Sequence, residues 1–217
     1  MARNKNSPRL SEMNNQEKLE QIRKNILENT NLALRESAAN LVFGKGNSDA
    51  EILIIGEAPG EKEDLQGIPF VGRAGKELDK LLHMINLSLE EVYIANILKY
   101  RPPKNRDPKQ SEIEEHTPYL IEQIMAIQPK VIVTLGNFAT KFVLAGFDSN
   151  KMKEIEGIAK VRGTPVKISL GNSKFTVIPI YHPAAILYRP AWREQLEKDF
   201  QKIGQVLQEK DKYRGEQ

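Results

Sequence analysis

No cysteine occurs anywhere in the 217 residues. That excludes disulfides, cysteine nucleophiles, thiolate zinc sites and cysteine-held iron–sulfur clusters. Histidine is scarce too. His83, His116 and His182 lie far apart in sequence, which gives a histidine-held metal little support, and none is expected. Long apolar runs are missing: Ile52 to Ile55 and Val131 to Val133 fall far short of the roughly 18 residues that cross a bilayer. The opening MARNKNSPRLSEMNNQ is polar and has no apolar signal-peptide core. No membrane association is expected, and the cytosol is the expected compartment. Charge of one sign is missing as well. Lys and Arg number 32 against 29 Asp and Glu, a net +3, so any nucleic-acid site must come from local clustering.

Hydrophobic residues make up 40% and charged residues 28%, enough to bury a core and too apolar for a disordered chain. The length suits one domain. The expected organisation is a flexible tail over 1–15, a single domain over 16–208 and a second flexible tail over 209–217.

Short apolar strands alternate with helices. A first helix begins near Gln16 and carries Leu19, Ile22, Ile26 and Leu27. Phe43 to Asn47 carries loop signals. Glu51 to Ile55 reads as a buried strand that must stop at Pro59 and Gly60. A helix with Leu78, Leu81, Leu82 and Ile85 follows, then a strand from Val92 that ends at Asn96. Ser111, with Glu114 three residues on, marks a helix start of the capping-box kind, and Pro129 closes that helix. Val131 to Leu135 is a third strand, and Gly136-Asn137 opens the next helix. A less regular stretch from Ile155 to Lys174 suits a hairpin. Thr176 to Ile180 is a fourth strand, followed by a helix with Leu196, Phe200, Ile203 and Leu207. The pattern predicts an α/β fold: three layers, α/β/α, around a central, mostly parallel four-stranded sheet. An α+β domain with a mixed sheet is the second choice. Ligands in such sheets collect at the carboxyl ends of the strands. Those ends here are Gly56-Glu57-Ala58-Pro59-Gly60, an Asn before a basic loop, Leu135-Gly136-Asn137 and Tyr181-His182-Pro183.

Each of these ends has a bland reading beside a functional one. The first matches neither a Walker loop nor a dinucleotide fingerprint, which leaves a tight turn, yet a turn does not need Glu57, Glu61, Glu63 and Asp64 crowded beside it. Phe70, set among Gly67, Gly72 and Gly75, is a staple to the core or a stacking platform for a planar ligand. Lys99 to Lys109 holds five cations against one acid on a proline-stiffened loop; it is a solvated loop or a phosphate-binding one. A lone histidine is more often structural than catalytic, but His182 sits at a strand end before Ile186-Leu187-Tyr188-Arg189, where apolar groups beside a cation can wedge a base stack.

These segments together resemble the family 4 uracil-DNA glycosylases of the uracil-DNA glycosylase superfamily. The matching stretches are GEAPGEKEDLQGIPFVGRAG (56–75), VYIANILKYRPPKNRDP (92–108), PKVIVTLGNFAT (129–140), VRGTP (161–165) and YHPAAIL (181–187). They occur in family order and cover nearly the whole chain, roughly residues 20–205. One departure is clear. The family typically holds a four-iron, four-sulfur cluster on four cysteines. The corresponding positions fall near Asn29, near Leu32, at Tyr100 and at His116, so the resemblance implies a member without the cluster and without any cofactor. Leu32 and Tyr100 would then pin the basic loop by apolar packing. Ile68 stands where relatives often carry Arg.

The resemblance implies hydrolysis of the bond between uracil and deoxyribose, on a base flipped out of single- or double-stranded DNA, leaving an abasic site. It implies that His182 hydrogen-bonds uracil O2, that Asn96 reads O4 and N3, that Phe70 stacks on the ring and that Glu57, Ala58 and Pro59 line the pocket. Glu57 is the first choice to activate water, with Glu61 and Asp64 as alternatives. Lys99, Arg101, Lys104 and Arg106, with Ile186, Leu187 and Arg189, would contact DNA. The expected protein is a monofunctional, monomeric repair enzyme of the cytoplasm and nucleoid. The alternative is a weakly active DNA- or base-binding module. A covalently trapping relative is disfavoured, because Tyr181 directly precedes His182 with no basic insertion.

Overall fold

The structure, a computed structural model, describes residues 13–212. The expected tails fall mostly outside the described residues; within them, Asn15 already opens a helix and the last helix runs on to Lys212. The helices are α1 (Asn15–Glu28), α2 (Glu61–Gln66), α3 (Arg73–Met84), α4 (Gln110–Ile127), α5 (Gly136–Leu144), α6 (Ile158–Val161), α7 (Ala185–Tyr188) and α8 (Arg193–Lys212). The strands are β1 (Lys45–Gly46), β2 (Ile52–Gly56), β3 (Tyr93–Asn96), β4 (Val131–Leu135), β5 (Val166–Leu170) and β6 (Ser173–Ile180).

They form one sheet in the order β1-β3-β2-β4-β6-β5. The four expected strands, β3, β2, β4 and β6, are its parallel centre. The expected count of four is corrected to six by an antiparallel strand on each edge. β1 is only two residues long and is built around Gly46, whose φ of +118° suits no other residue type, so it carries no period-2 signal. β5 alternates half-buried and exposed residues and turns into β6 at Gly171, which places the hairpin later than Ile155.

Alternation along the central strands builds both cores. Leu53, Ile55, Ala95, Ile132 and Val177 face α1, α4 and α5. Ile52, Ile54, Ile94, Val133, Ile178 and Ile180 face α3 and α8. Removing one such side chain to Ala costs about 2–5 kcal/mol. α4 starts at Gln110, earlier than the Ser111 signal implied, because Glu112 Oε2 accepts the Lys109 N–H at 2.9 Å and closes the first turn there. Among the described residues no helix is long and apolar enough to cross a membrane.

From β2 the chain steps to β3 on one side and then to β4 on the other. The carboxyl ends of the strands around that reversal open a crevice.

Candidate active site

The crevice holds a cavity of about 280 Å³. Glu57, Ala58 and Pro59 after β2, Asn96 at the end of β3, His182 after β6 and Phe70 from the α2–α3 loop all line it. The expected pocket residues are therefore brought together. Glu63, Pro102, Asn105 and Arg106 join them.

Asn96 is buried, and its Oδ1 has no hydrogen-bond partner among the described residues. An orphaned buried acceptor costs about 1–3 kcal/mol, which a ligand donor would recover. Gly56 makes room for it: a Cβ there would collide with Asn96 Oδ1 and stand 3.1 Å from two carbons of the Phe70 ring.

Phe70 is held in a left-handed conformation, φ +53°, which is costly for an aromatic. The strain is pinned from several sides. Glu63 Oε1 accepts the N–H groups of Val71 (3.1 Å) and Gly72 (2.9 Å), and Lys45 Nζ donates to the Phe70 carbonyl at 3.2 Å. Gly75 lets that carbonyl come so close to α3 that any Cβ would overlap it. The Phe70 ring lies nearly parallel to the His182 ring, with centroids 5.7 Å apart and planes 22° apart. Glu63 was legible in the sequence only as one of several crowded acids.

His182 Nδ1 accepts the Ala184 N–H at 3.1 Å, so a neutral ring carries its hydrogen on Nε2 and can donate it. Burial pulls the imidazole down to about 4, with Glu63 opposing weakly, which keeps it neutral at physiological pH. Burial, aided by the nearby Asp107 charge, pushes the Glu57 carboxyl up to about 7. A carboxyl near 7 is poised to exchange a proton at working pH. The two alternative acids are elsewhere. Asp64 is buried and accepts the N–H groups of Ala39 (2.9 Å) and Asn40 (3.1 Å), and Glu61 is exposed and does not line the cavity.

The expected DNA contacts divide. Lys104 is exposed, and Arg101 is half-buried with its Nε donating to Asn105 Oδ1 at 2.7 Å. Arg106 lines the cavity and grips Glu112 with both guanidinium ends, one at 2.8 Å. Arg189 is exposed and lies 4.6 Å over the Trp192 ring, which itself stacks on Tyr181. Leu187 is half-buried on α7, and the fully presented apolar side chain there is Tyr188. Two expectations are corrected. Lys99 is wholly buried, with its amine bonded inside the protein, so it is not on a phosphate-facing surface. Burial also pulls that amine down to about 7. Ile186 is 4% exposed because it packs into the core beneath α7, so it is not free to wedge a base stack.

The four positions that the resemblance matches to cluster ligands converge at the far end of the basic loop. Leu32 is buried and carries no donor atom. Asn29 Nδ2 donates to the Tyr119 hydroxyl at 3.0 Å, and Arg35 Nη1 donates to the Tyr100 hydroxyl at 3.4 Å. The Tyr100 ring meets the His116 ring edge-on at 6.1 Å. His116 accepts the Lys99 N–H on Nδ1 at 2.9 Å and donates from Nε2 to the Ala33 carbonyl at 2.9 Å. Asn29, Tyr100 and His116 already hold hydrogen bonds to other groups of the fold, and none of the four positions offers a thiolate, so the set does not fit a cysteine-held cluster. The loop is pinned by hydrogen bonds as well as by the expected apolar packing.

Comparison with known proteins gives the family of the chain. The family model of the uracil DNA glycosylase superfamily matches residues 43–208. The type-4 uracil-DNA glycosylase of Archaeoglobus fulgidus is 47% identical over 194 residues, which is 89% of this chain and 96% of that protein. Its counterpart from Saccharolobus solfataricus is 49% identical over 172 residues, 79% of this chain and 78% of that one. The type-4 enzyme of Thermotoga maritima is 41% identical over 172 residues, 79% of this chain and 84% of that one. The chain belongs to the type-4 uracil-DNA glycosylases of the uracil DNA glycosylase superfamily.

Proposed function

We propose that this protein is a DNA repair glycosylase that flips uracil out of DNA and hydrolyses its N-glycosidic bond, leaving an abasic site. The observation that carries the reading is the meeting of three groups in one cavity: the Phe70 ring, the Asn96 amide, whose Oδ1 has no partner among the described residues, and the Nε2–H of a neutral His182. The Phe70 face stacks on the extruded ring. Asn96 Oδ1 accepts N3–H and its Nδ2 donates to O4, a pattern that cytosine mismatches. His182 Nε2–H donates to O2, where charge builds as the bond breaks. Ala58 and Pro59 close the wall of the pocket.

The bond between C1′ and N1 breaks with its electron pair moving to uracil, which leaves as an anion held by Asn96 and His182. A neutral imidazole donor suits an anion that must later take up a proton from solvent. Glu57 takes a proton from the water whose oxygen adds to C1′. Arg101, Lys104 and Arg189 hold phosphates at the mouth, and Leu187 lies at the duplex edge beside them. We read the protein as free of an iron–sulfur cluster, since the four matching positions offer Asn, Leu, Tyr and His already bonded within the fold. We also read it as a monomer of the cytoplasm and nucleoid.

The test is alkaline cleavage of an oligonucleotide with a single uracil after treatment with purified protein. A strand break at the uracil supports the reading. An intact strand at enzyme excess overturns it and leaves a DNA- or base-binding module.

A further inference from the structure

Lys99 is a lysine at 0% exposure, and among the described residues it forms no ion pair. Burying an amine is expensive, and an apolar side chain of equal length would cost less. Its partners say what it holds. The Nζ donates to the main-chain carbonyl of Asn96 at 2.8 Å and to Gln123 Oε1 at 2.5 Å. Gln123 Nε2 passes the link on to the Phe43 carbonyl at 3.1 Å. The Lys99 N–H is held by His116, and the Lys99 carbonyl accepts the Val42 N–H at 2.9 Å.

Strand geometry explains why Asn96 needs such a partner. Ile97 N–H bonds to the Gly56 carbonyl, so the peptide groups of residue 97 face β2. By alternation the Asn96 carbonyl faces the outer edge. On that edge β1 pairs only with Tyr93 and Ile94 and has ended before Asn96. The Asn96 carbonyl thus lies buried past the end of the ladder, and Lys99 supplies the missing donor. No protein partner holds Asn96 Oδ1 among the described residues, so the amide is aimed by its main chain and by the walls around it.

We propose that Lys99 is a positioning residue for base reading: its buried amine clamps the carboxyl end of β3 and thereby aims the Asn96 amide into the pocket. The inference rests on the uracil-pocket reading. It also links the His116 corner to the base-reading side chain through one short path, Ala33 to His116 to Lys99 to Asn96.

The test compares wild type with Lys99→Met and Gln123→Met in four readouts: single-turnover excision of uracil, inhibition by free uracil, affinity for undamaged DNA and thermal melting. Lys99→Met is expected to slow excision and to weaken inhibition by uracil, each by about ten-fold or more, with DNA affinity within about two-fold of wild type. A merely structural role would lower melting but leave the uracil inhibition constant of the folded fraction unchanged. Gln123→Met, which leaves the Lys99–Asn96 bond in place but removes both the second acceptor and the donor to the Phe43 carbonyl, is expected to give a loss of about three-fold in the same two readouts. Folded Lys99→Met with wild-type excision and uracil inhibition overturns the proposal, as does a loss confined to DNA affinity. Should Lys99→Met not fold, Gln123→Met decides: the three-fold loss supports the role and wild-type values overturn it. Wild type that excises no uracil would sink the functional reading itself, a result distinct from any of these.

Discussion

Replacing Gly56 with Ala is the sharpest steric probe of the site. The residue ends β2 with an ordinary extended backbone, so alanine adds no backbone strain. Its Cβ would overlap Asn96 Oδ1 and press on two Phe70 ring carbons at 3.1 Å. Neither neighbour is the loose end of a flexible chain. Asn96 is buried on a strand whose carbonyl is clamped, and Phe70 sits in a loop pinned by Glu63 and Lys45. The amide or the ring must therefore retreat by roughly an ångström. A displacement of that size in a positioning group costs about 10²-fold in rate, or about 3 kcal/mol of barrier. Overpacking costs stability too, about 1–3 kcal/mol, so melting should fall modestly. The assay is single-turnover excision on a uracil oligonucleotide well below the melting point. Gly157→Ala is the control, because its Cβ would stand an ordinary 3.6 Å from its nearest neighbour, Asn137 Oδ1. Excision by folded Gly56→Ala within about three-fold of wild type would refute the claim that Asn96 and Phe70 jointly define the slot.

His182→Ala removes the donor to the leaving base and should lower the single-turnover rate by about 10²–10³-fold with DNA affinity retained; a loss of affinity alone would remove its catalytic role. If Glu57 activates water, it must be ionised, so kcat/KM should climb as pH rises through about 7 and then level off. Glu57→Gln should lose most of the rate and the climb together, and a climb that persists in this variant would assign it elsewhere. Arg101→Ala and Lys104→Ala should each lower the slope of log affinity against log salt by about one, equally for all sequences, and an unchanged slope would take these cations off the phosphates.

Much of this was legible in the sequence. The four central strands announced themselves as continuous apolar runs because parallel strands are buried on both faces. The pocket was legible in large part, because the β2, β3 and β6 runs stop at ends that gather by topology and line it, whereas the β4 end, Leu135 to Asn137, does not line the cavity. The edge strands were not legible: β1 is two residues built on a glycine, and β5 is too exposed to carry an apolar stripe. Lys99 was misplaced for a physical reason. Its neighbours Arg101, Lys104 and Arg106 make the loop look uniformly basic, and only the end of the β1 ladder turns one of the loop's five cations inward. Ile186 was misplaced because a four-residue helix has too short a period to reveal which side faces the core. Glu63 was hidden among Glu61 and Asp64, since acids that solvate a loop and acids that accept its N–H groups look alike in sequence.

The most direct measurement is a crystal structure of the protein with free uracil at saturating concentration. The ring should lie flat against Phe70, with N3 and O4 on the Asn96 amide and O2 on His182 Nε2. Uracil bound elsewhere, or in this cavity without touching Asn96 and His182, would contradict it.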